Sequence, residues 1–354
     1  VQVRQKVAHR RTFCYLEQLI LKNDAHDKVL SLKETREGLD FHFAQKSHAQ
    51  RFADFVGNCV PVKQKHSRHL ISHDSNSNVY HYKYTILCEI CPVCVDDVVH
   101  VPQGHASSMS GAAPLMLCHK VTTSLRLVDP LTMRCYDIPT SEYFKRPFGA
   151  SVATRVHLTE FVVLNIEPVE IPEAGTPAKH GLAYRGKMKL ADIEVAKVAD
   201  LGVNDDRAIV RSHLGGMLRV GGHVLGYDMR CLNVTGDVSS SVEEQKADII
   251  LIRKQYRKRR GKRQWELRRL IRDKEEGAEA VDDEADMEAM YEDLERDAEL
   301  RRSVNLFRTD DDKQKQAPAP GKTEVAADED DGLEDAPEVP LAELLEGLHL
   351  QEEG

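Results

Sequence analysis

The sequence predicts an α+β fold: an N-terminal α+β unit, then two small β-barrels, then a charged, largely disordered C-terminal tail. Three observations carry that expectation. Residues 1–83 mix apolar repeats of helical period with repeats of strand period. Residues 84–252 consist of short apolar runs separated by Pro, Gly and Asp turn signals. At residue 253 the charge balance breaks: residues 253–354 hold 19 Lys+Arg against 30 Asp+Glu, leaving 30 against 28 for the residues before them. The net charge of −9 therefore describes no single region, and it does not argue against a nucleic-acid partner. A chain of 354 residues has room for two or three domains.

Along the first unit, Phe13, Leu16 and Ile20 recur every three to four residues and predict a helix over 12–24. Leu39, Phe41 and Phe43 alternate with Asp40 and His42, as in a half-buried strand. Ser47, three residues before Gln50, has the spacing of a capping box and is expected to open a helix through Phe52, Phe55 and Cys59. After Pro61 comes a basic strip, Val62 to His69, with Lys63, Lys65 and Arg68 as candidate phosphate contacts read from charge alone. A solvated strand face accounts for them equally well. Tyr80, Tyr82 and Tyr84 then alternate with His81 and Lys83, a further strand.

In 84–149 the runs 86–90, 98–101 and 125–128 are separated by Pro102, Gly104, Gly111 and Asp129-Pro130, a length that suits a small barrel. In 150–252 five runs follow, at 161–166, 192–195, 208–210, 224–227 and 248–252, with Gly221-Gly222 as a turn. Five strands with such turns fit an OB-like barrel, a fold often used on nucleic acid.

The tail carries two signals. Residues 253–274, the basic segment, include Arg257, Lys258, Arg259, Arg260, Lys262 and Arg263, a candidate nuclear localisation signal or phosphate-binding patch. Its bland alternative is a solvated charged helix at 265–272. Residues 275–354 are acidic and expected to be disordered, with Met287, Met290, Tyr291 and Leu294 as a short amphipathic turn inside them. Near the end, Leu341, Leu344, Leu348 and Leu350 have the spacing of a leucine-rich nuclear export signal, read by exportin as anchors in a groove. Such spacings also occur in core helices, but this segment is terminal, acidic and far from other apolar runs. Ordering a free segment opposes its binding, so a weak, switchable contact is expected.

The cysteines are the remaining candidates for chemistry in the residue pattern. Cys88, Cys91 and Cys94 are evenly spaced, but a structural zinc site takes four ligands, usually in two pairs, and this run otherwise reads as a strand. Buried strand thiols are favoured over metal. The chain contains no phosphate-binding loop, no Gly-x-Ser-x-Gly elbow and no apolar run near 18 residues, so neither an enzyme nor a membrane partner is expected. It opens on Val1-Gln2-Val3-Arg4 without Met or a leader, and is expected to begin inside a longer protein.

Several stretches resemble one family. They are Phe13 to Lys22, Gly38 to Phe41, His48 to Gln50, Leu70 to Ser72, Val128-Asp129-Pro130-Leu131-Thr132, His213-Leu214-Gly215-Gly216, Val224 to Asp228, the basic block, and Leu341 to Leu350. In this order they resemble the eukaryotic nuclear export adaptors of the 60S ribosomal subunit, the nonsense-mediated-decay protein three family. The resemblance implies that the first barrel, 84–149, is SH3-like and the second OB-like, both similar to translation factor 5A. It further implies binding to the joining face of the pre-60S particle, near the exit site and its mobile stalk, among other pre-60S assembly factors. Lys63, Lys65 and Arg68 would then touch rRNA. The tail would recruit exportin with Ran-GTP, and the adaptor would shuttle between nucleus and cytoplasm, leaving the particle during late maturation. The family's zinc sits in an N-terminal module of Cys-x-x-Cys pairs absent from this chain, so no cofactor is expected here. A translation factor on mature ribosomes, or an acidic chaperone of basic ribosomal proteins using residues 275–335, are the competing readings.

Overall fold

The computed structural model describes residues 1–7, 9–35, 38–74, 78–102, 112–169, 182–183, 188–204, 206–232, 236–245, 247–257, 263, 265–273, 284–308, 334, 337 and 339–340. The chain divides into two units. One is Val1–Cys91 with Lys258–Asp328 and Ala336–Gly354; the other is Pro92–Arg257 with Glu329–Asp335.

In the first unit, β1 (Gln2–Gln5), β2 (Val29–Thr35), β3 (Gly38–Phe43), β4 (Val62–Asp74) and β5 (Val79–Ile90) form one sheet in the order β2-β3-β1-β5-β4. β1 is parallel to β5 and antiparallel to β3. Helices α1 (Arg11–Lys22) and α2 (Lys46–Cys59) lay their apolar stripes on this sheet: Phe13, Leu16 and Ile20 from α1, Phe52, Ala53 and Val56 from α2. They meet Val3, Phe41, Ile86 and Ile90. Removing each such side chain from water contributes roughly 1.5–3 kcal/mol. At Gly38 a Cβ would sit 1.9 Å from the Val3 carbonyl oxygen, so only glycine fits where β3 meets β1.

Two expectations for this unit are corrected. Ser47 lies inside the first turn of α2 and makes no capping box; Gln45, in extended backbone, takes the cap position without a side-chain bond. A capping side chain must stand just outside the helix, and Ser47 is past that point. The unit also does not end at residue 83. β5 runs unbroken from Val79 to Ile90, so the run 86–90 belongs to the first sheet and not to the first barrel.

A third correction concerns the tail. Residues 284–308 are folded, with α5 (Glu284–Arg296) and α6 (Ala298–Arg302) in helical form. The short strands β16 (Trp265–Glu266) and β17 (Phe307–Arg308) pair with each other, and none of residues 265–273 is helical. Trp265, Leu267, Met287, Met290, Leu294, Val304 and Leu306 close on Cys14 of α1. Thus α1 is covered on two sides, by the sheet and by the returning chain. The physical reason lies in apolar content: Trp265, Leu267 and the α5 stripe together bury enough surface to order a segment whose average composition is highly charged.

Charges complete the closure. Glu17 is 1 % exposed, and its carboxylate accepts from the Leu270 N–H at 2.6 Å and pairs with Arg272 at 2.7 Å. Arg11 pairs with Asp293 at 2.5 Å, and the Arg10 N–H donates to Asp286 at 2.6 Å.

In the second unit, β6 (Val98–His100), β7 (Leu115–Val121), β8 (Ser124–Val128), β9 (Arg134–Pro139) and β11 (Leu182–Ala183) form one sheet in the order β11-β9-β8-β7-β6. β10 (Leu158–Pro168), β12 (Ala191–Lys197), β13 (Arg207–Ser212), β14 (His223–Asp228) and β15 (Ile249–Lys254) form another in the order β13-β12-β10-β14-β15. The helices of this unit are α3 (Thr140–Tyr143) and α4 (Gly236–Gln245). The five runs expected in 150–252 fall on the five strands β10 and β12 to β15. Ile249 to Ile252 are all buried because β15 faces two cores: Ile249 and Leu251 join Phe161 and Val224, whereas Ile250 and Ile252 join Val98, Leu117 and Tyr227. A continuous apolar run is the sequence mark of such a strand. The Tyr227 hydroxyl donates to the Asp96 carbonyl at 2.9 Å, tying the two sheets together. Gly221 has φ +82° and closes the expected turn into β14. Among the described residues, no helix is long and apolar enough to cross a membrane.

Candidate nucleic-acid interface and transport signals

The sheet of the first unit changes character along its length. Near Ile86, Cys88 and Ile90, the inner face of β5 is covered by the helices and buried. From Tyr84 outwards, the same face continues as Tyr82 and Tyr80, past the helices that cover the core. β4 pairs with β5 throughout, from Val62↔Ile90 to Asp74↔Val79, so the two strands form a long ribbon exposed on both faces beyond Thr85. Ile71 is the extra residue of a bulge between Leu70↔Tyr82 and Ser72↔His81. The bulge shifts the β4 register by one, which brings His73 opposite Tyr80 on the tyrosine face.

That face carries an aromatic ladder. His73 stacks on Tyr80 at 4.2 Å and 15°. Tyr80 and Tyr82 are nearly parallel at 6.2 Å, and Tyr84 follows at 6.3 Å. The Arg68 guanidinium lies 5.5 Å from the Tyr82 ring, and Lys46 of α2 lies 4.4 Å from that of Tyr84. The ladder stays open to solvent: Tyr80, Tyr82 and Tyr84 are 47 %, 37 % and 46 % exposed. The opposite face carries Lys63, Lys65, His69, His81 and Lys83. Of the three contacts read from charge, Lys63 and Lys65 thus fall on one face and Arg68 on the other. Lys65 is not a free cation, because Glu89 holds it at 2.9 Å and is itself held below the usual carboxylate range by that hydrogen bond. Sequence reasoning found the strand but missed the ladder. Its signal was present in the alternation of Tyr80, Tyr82 and Tyr84, but whether a helix covers those rings is a tertiary matter.

In the basic block, Arg257 and Arg263 are described, whereas Lys258, Arg259, Arg260 and Lys262 lie outside the described residues. Arg263 is clasped by α5: its guanidinium donates to Glu288 at 2.6 Å and Glu295 at 3.0 Å and lies 4.8 Å from the Tyr291 ring. The Arg257 N–H donates to the Glu334 carbonyl at 2.8 Å. The export-signal leucines Leu341, Leu344, Leu348 and Leu350 also lie outside the described residues.

Cys88, Cys91 and Cys94 are each buried. Burial pushes the Cys88 thiol up to about 11, against the thiolate form that metals require. Among the described residues, the one group of His, Cys, Asp and Glu close enough to share an ion is Asp24, His26 and Asp27, in the turn after α1, and it contains no cysteine.

Several runs that carried the family resemblance prove to be packing and turn devices. Asp129 accepts from the Leu131 N–H at 2.9 Å and the Thr132 hydroxyl at 2.5 Å, which sets the Val128-to-Thr132 turn, and Met133 follows at φ +58°. In the His213-to-Gly216 run, a Cβ on Gly215 would approach the Ala191 methyl to 2.4 Å.

Comparison with known proteins agrees with this architecture. The family model described as "NMD3, second domain" matches residues 1–90, "NMD3 SH3 domain" matches 93–141, and "NMD3 OB-fold domain" matches 158–254. The chain is 38 % identical over 362 residues to a protein of Saccharomyces cerevisiae named 60S ribosomal export protein NMD3, covering 98 % of this chain and 66 % of that protein. Proteins of the same name from Danio rerio and Homo sapiens are 38 % and 36 % identical over 356 residues, covering 99 % and 100 % of this chain and 67 % of each relative. The chain thus spans about two thirds of the length of these relatives. Three successive domain matches and an alignment along nearly the whole chain place it in one group: the chain belongs to the NMD3 family.

Proposed function

We propose that this chain is the ribosome-binding and signalling portion of an adaptor that carries the nascent 60S subunit out of the nucleus. The observation that carries the reading is the near-complete alignment with relatives named 60S ribosomal export proteins, spanning the α+β unit, both β domains and the charged tail. On this reading the folded units hold the joining face of the particle near the exit site and mobile stalk, with Lys63, Lys65 and Arg68 on rRNA. Arg257 to Arg263 direct import, and Leu341, Leu344, Leu348 and Leu350 recruit exportin with Ran-GTP. The protein shuttles between nucleus and cytoplasm, and it works as a binding protein without a cofactor in this chain.

The acidic-chaperone reading is less well supported, since Asp286, Glu288, Asp293 and Glu295 of α5 are already engaged by this chain's own Arg10, Arg11 and Arg263. The test mixes purified pre-60S particles with exportin, Ran-GTP and the protein, either intact or carrying Leu348→Ala and Leu350→Ala. Exportin is expected on the particle only with the intact leucines. If both versions bind the particle and exportin ignores both, the leucines are not the export signal, and a maturation or translation factor becomes the better account.

A further inference from the structure

We propose that the outer part of the β4–β5 ribbon is a stacking platform for unpaired RNA bases, with Tyr80, Tyr82 and Tyr84 as the base-binding rings. This rests on the rRNA-contact reading of the same ribbon and deepens it, from phosphate contacts to base stacking. Four observations support it.

First, the rings are uncovered where the rest of the inner face is sealed. At 37–47 % exposure on one strand, the three tyrosines stay open to solvent and stand outside the core cluster that closes this unit. Second, they repeat at every second residue, one ring per roughly 6.7 Å of strand, with Tyr80 and Tyr82 held within 14° of parallel. Tyr84 is tilted by 47° from Tyr82; rings at regular steps along a strand suit successive π-faces, and sheet-borne aromatics are a recurrent way to hold splayed bases. Third, the surrounding charge is predominantly positive. Residues 62–85 contain Lys63, Lys65, Arg68 and Lys83 with His66, His69, His73 and His81, against the single acid Asp74. Arg68 already lies on Tyr82 from the tyrosine side, where it can meet the phosphate of a stacked nucleotide. Fourth, the lysines sit on the opposite face from the rings, so a strand wrapping the ribbon meets bases on one side and charge on the other.

The same features choose among occupants. An apolar partner protein would offer no counter-charge to Lys63, Arg68 and Lys83. A duplex hides its base faces in its own stack and could use only the charges. Single-stranded or looped RNA satisfies both rings and charges.

The test measures binding of the full chain to a fluorescein-labelled, single-stranded 12-nucleotide RNA of mixed sequence, and to the matching duplex, over a salt series. Three proteins are compared: the unaltered chain, a ring variant with Tyr80→Leu and Tyr82→Leu, and a charge variant with Lys63→Gln, Lys65→Gln and Lys83→Gln. Emission from Trp265, buried elsewhere in the same unit, checks that each variant unfolds at the same denaturant concentration. Loss of a stacked ring is expected to weaken single-strand binding by roughly tenfold. The ring variant should therefore bind single strands on the order of 100-fold more weakly, with its salt dependence unchanged. The charge variant should bind with a log–log salt slope shallower by about two. Ultraviolet cross-links to the single strand should map to the three tyrosines.

If the ring variant binds like the unaltered chain while the charge variant loses salt dependence, the platform is overturned and the phosphate-contact reading stands. If neither variant differs from the unaltered chain, both fail. If single strand and duplex bind equally, stacking is overturned. A ring variant that keeps its RNA affinity but loses binding to nuclease-treated ribosomal proteins would make the platform a protein-docking face, and would overturn the proposal as well.

Discussion

His213 is 1 % exposed, and burial, reinforced by the nearby His119, pushes its imidazole down to about 4. In the unfolded chain the same group titrates near 6.5. A histidine that must stay neutral in the fold contributes stability that is fully present above pH 6.5 and is lost as the pH falls towards 4, because the unfolded chain takes up the proton first. The loss is on the order of 3 kcal/mol. Urea unfolding of the second unit at pH 7.5, 5.5 and 4.5 should show the midpoint fall, and His213→Gln should flatten the part of that fall between 6.5 and 4. An identical fall in the variant would show that another group is responsible. Asp228 acts lower on the scale. Burial alone would raise its carboxyl, but hydrogen bonds from Arg230 and Lys197 outweigh it and hold it at about 2. Its contribution is therefore fully present above about pH 4 and is lost as the pH falls towards 2. None of this was legible from the sequence, where His213 is one of 16 scattered histidines. Desolvation depends on what packs around a ring, and a one-dimensional pattern does not contain that.

At the scale of elements, the informative case is α5 and the chain leading to it. Met287, Met290, Tyr291 and Leu294 lie three to four residues apart and mark a helical stripe in the sequence. Its destination is α1, whose Phe13, Leu16 and Ile20 stripe faces the sheet and whose Cys14 side receives Trp265 and Met290. The average composition of the segment hid this, because a few well-placed apolar side chains decide folding and the charged majority lies on the outer surface or in ion pairs. Trp265 is the chain's single tryptophan, 3 % exposed and 5.3 Å from the Tyr291 ring. Trp265→Ala should destabilise the first unit by roughly 3–5 kcal/mol in urea unfolding followed by circular dichroism. A loss below about 1 kcal/mol would mean that the returning chain is not part of the core. The β4–β5 ribbon is the opposite case. Its strands were legible from alternation, but their length beyond the helices was not.

At the scale of the molecule, the two units differ in how they depend on the C-terminal third. Truncation after Arg257 removes Trp265, Leu267, Met290 and Leu294 from the Cys14 side of α1, and takes Arg272 and the Leu270 N–H away from Glu17. Among the described residues, the second unit loses the hydrogen bond from the Arg257 N–H to the Glu334 carbonyl and the pairs that Glu334 makes with Lys254 and Arg219, each pair worth roughly 0–1 kcal/mol at the surface. Calorimetry of the truncated chain should therefore show one transition lowered by many degrees and another within a few degrees of its original position. Two equally shifted transitions would contradict the assignment of residues 265–308 to the first unit.

The sequence by itself determined the fold class, the five strands of the second barrel and the family. Each of these is written in local periodicity, turn residues or identity along the chain. The tertiary structure alone decided that β5 continues to Ile90, that Ser47 caps nothing, that the acidic segment returns to cover α1, and that three tyrosines stand uncovered beside a cluster of cations. Those outcomes depend on what covers a face. Coverage is settled by residues as distant as Glu17 and Arg272, which pair across 255 residues of sequence and leave no mark in either local pattern.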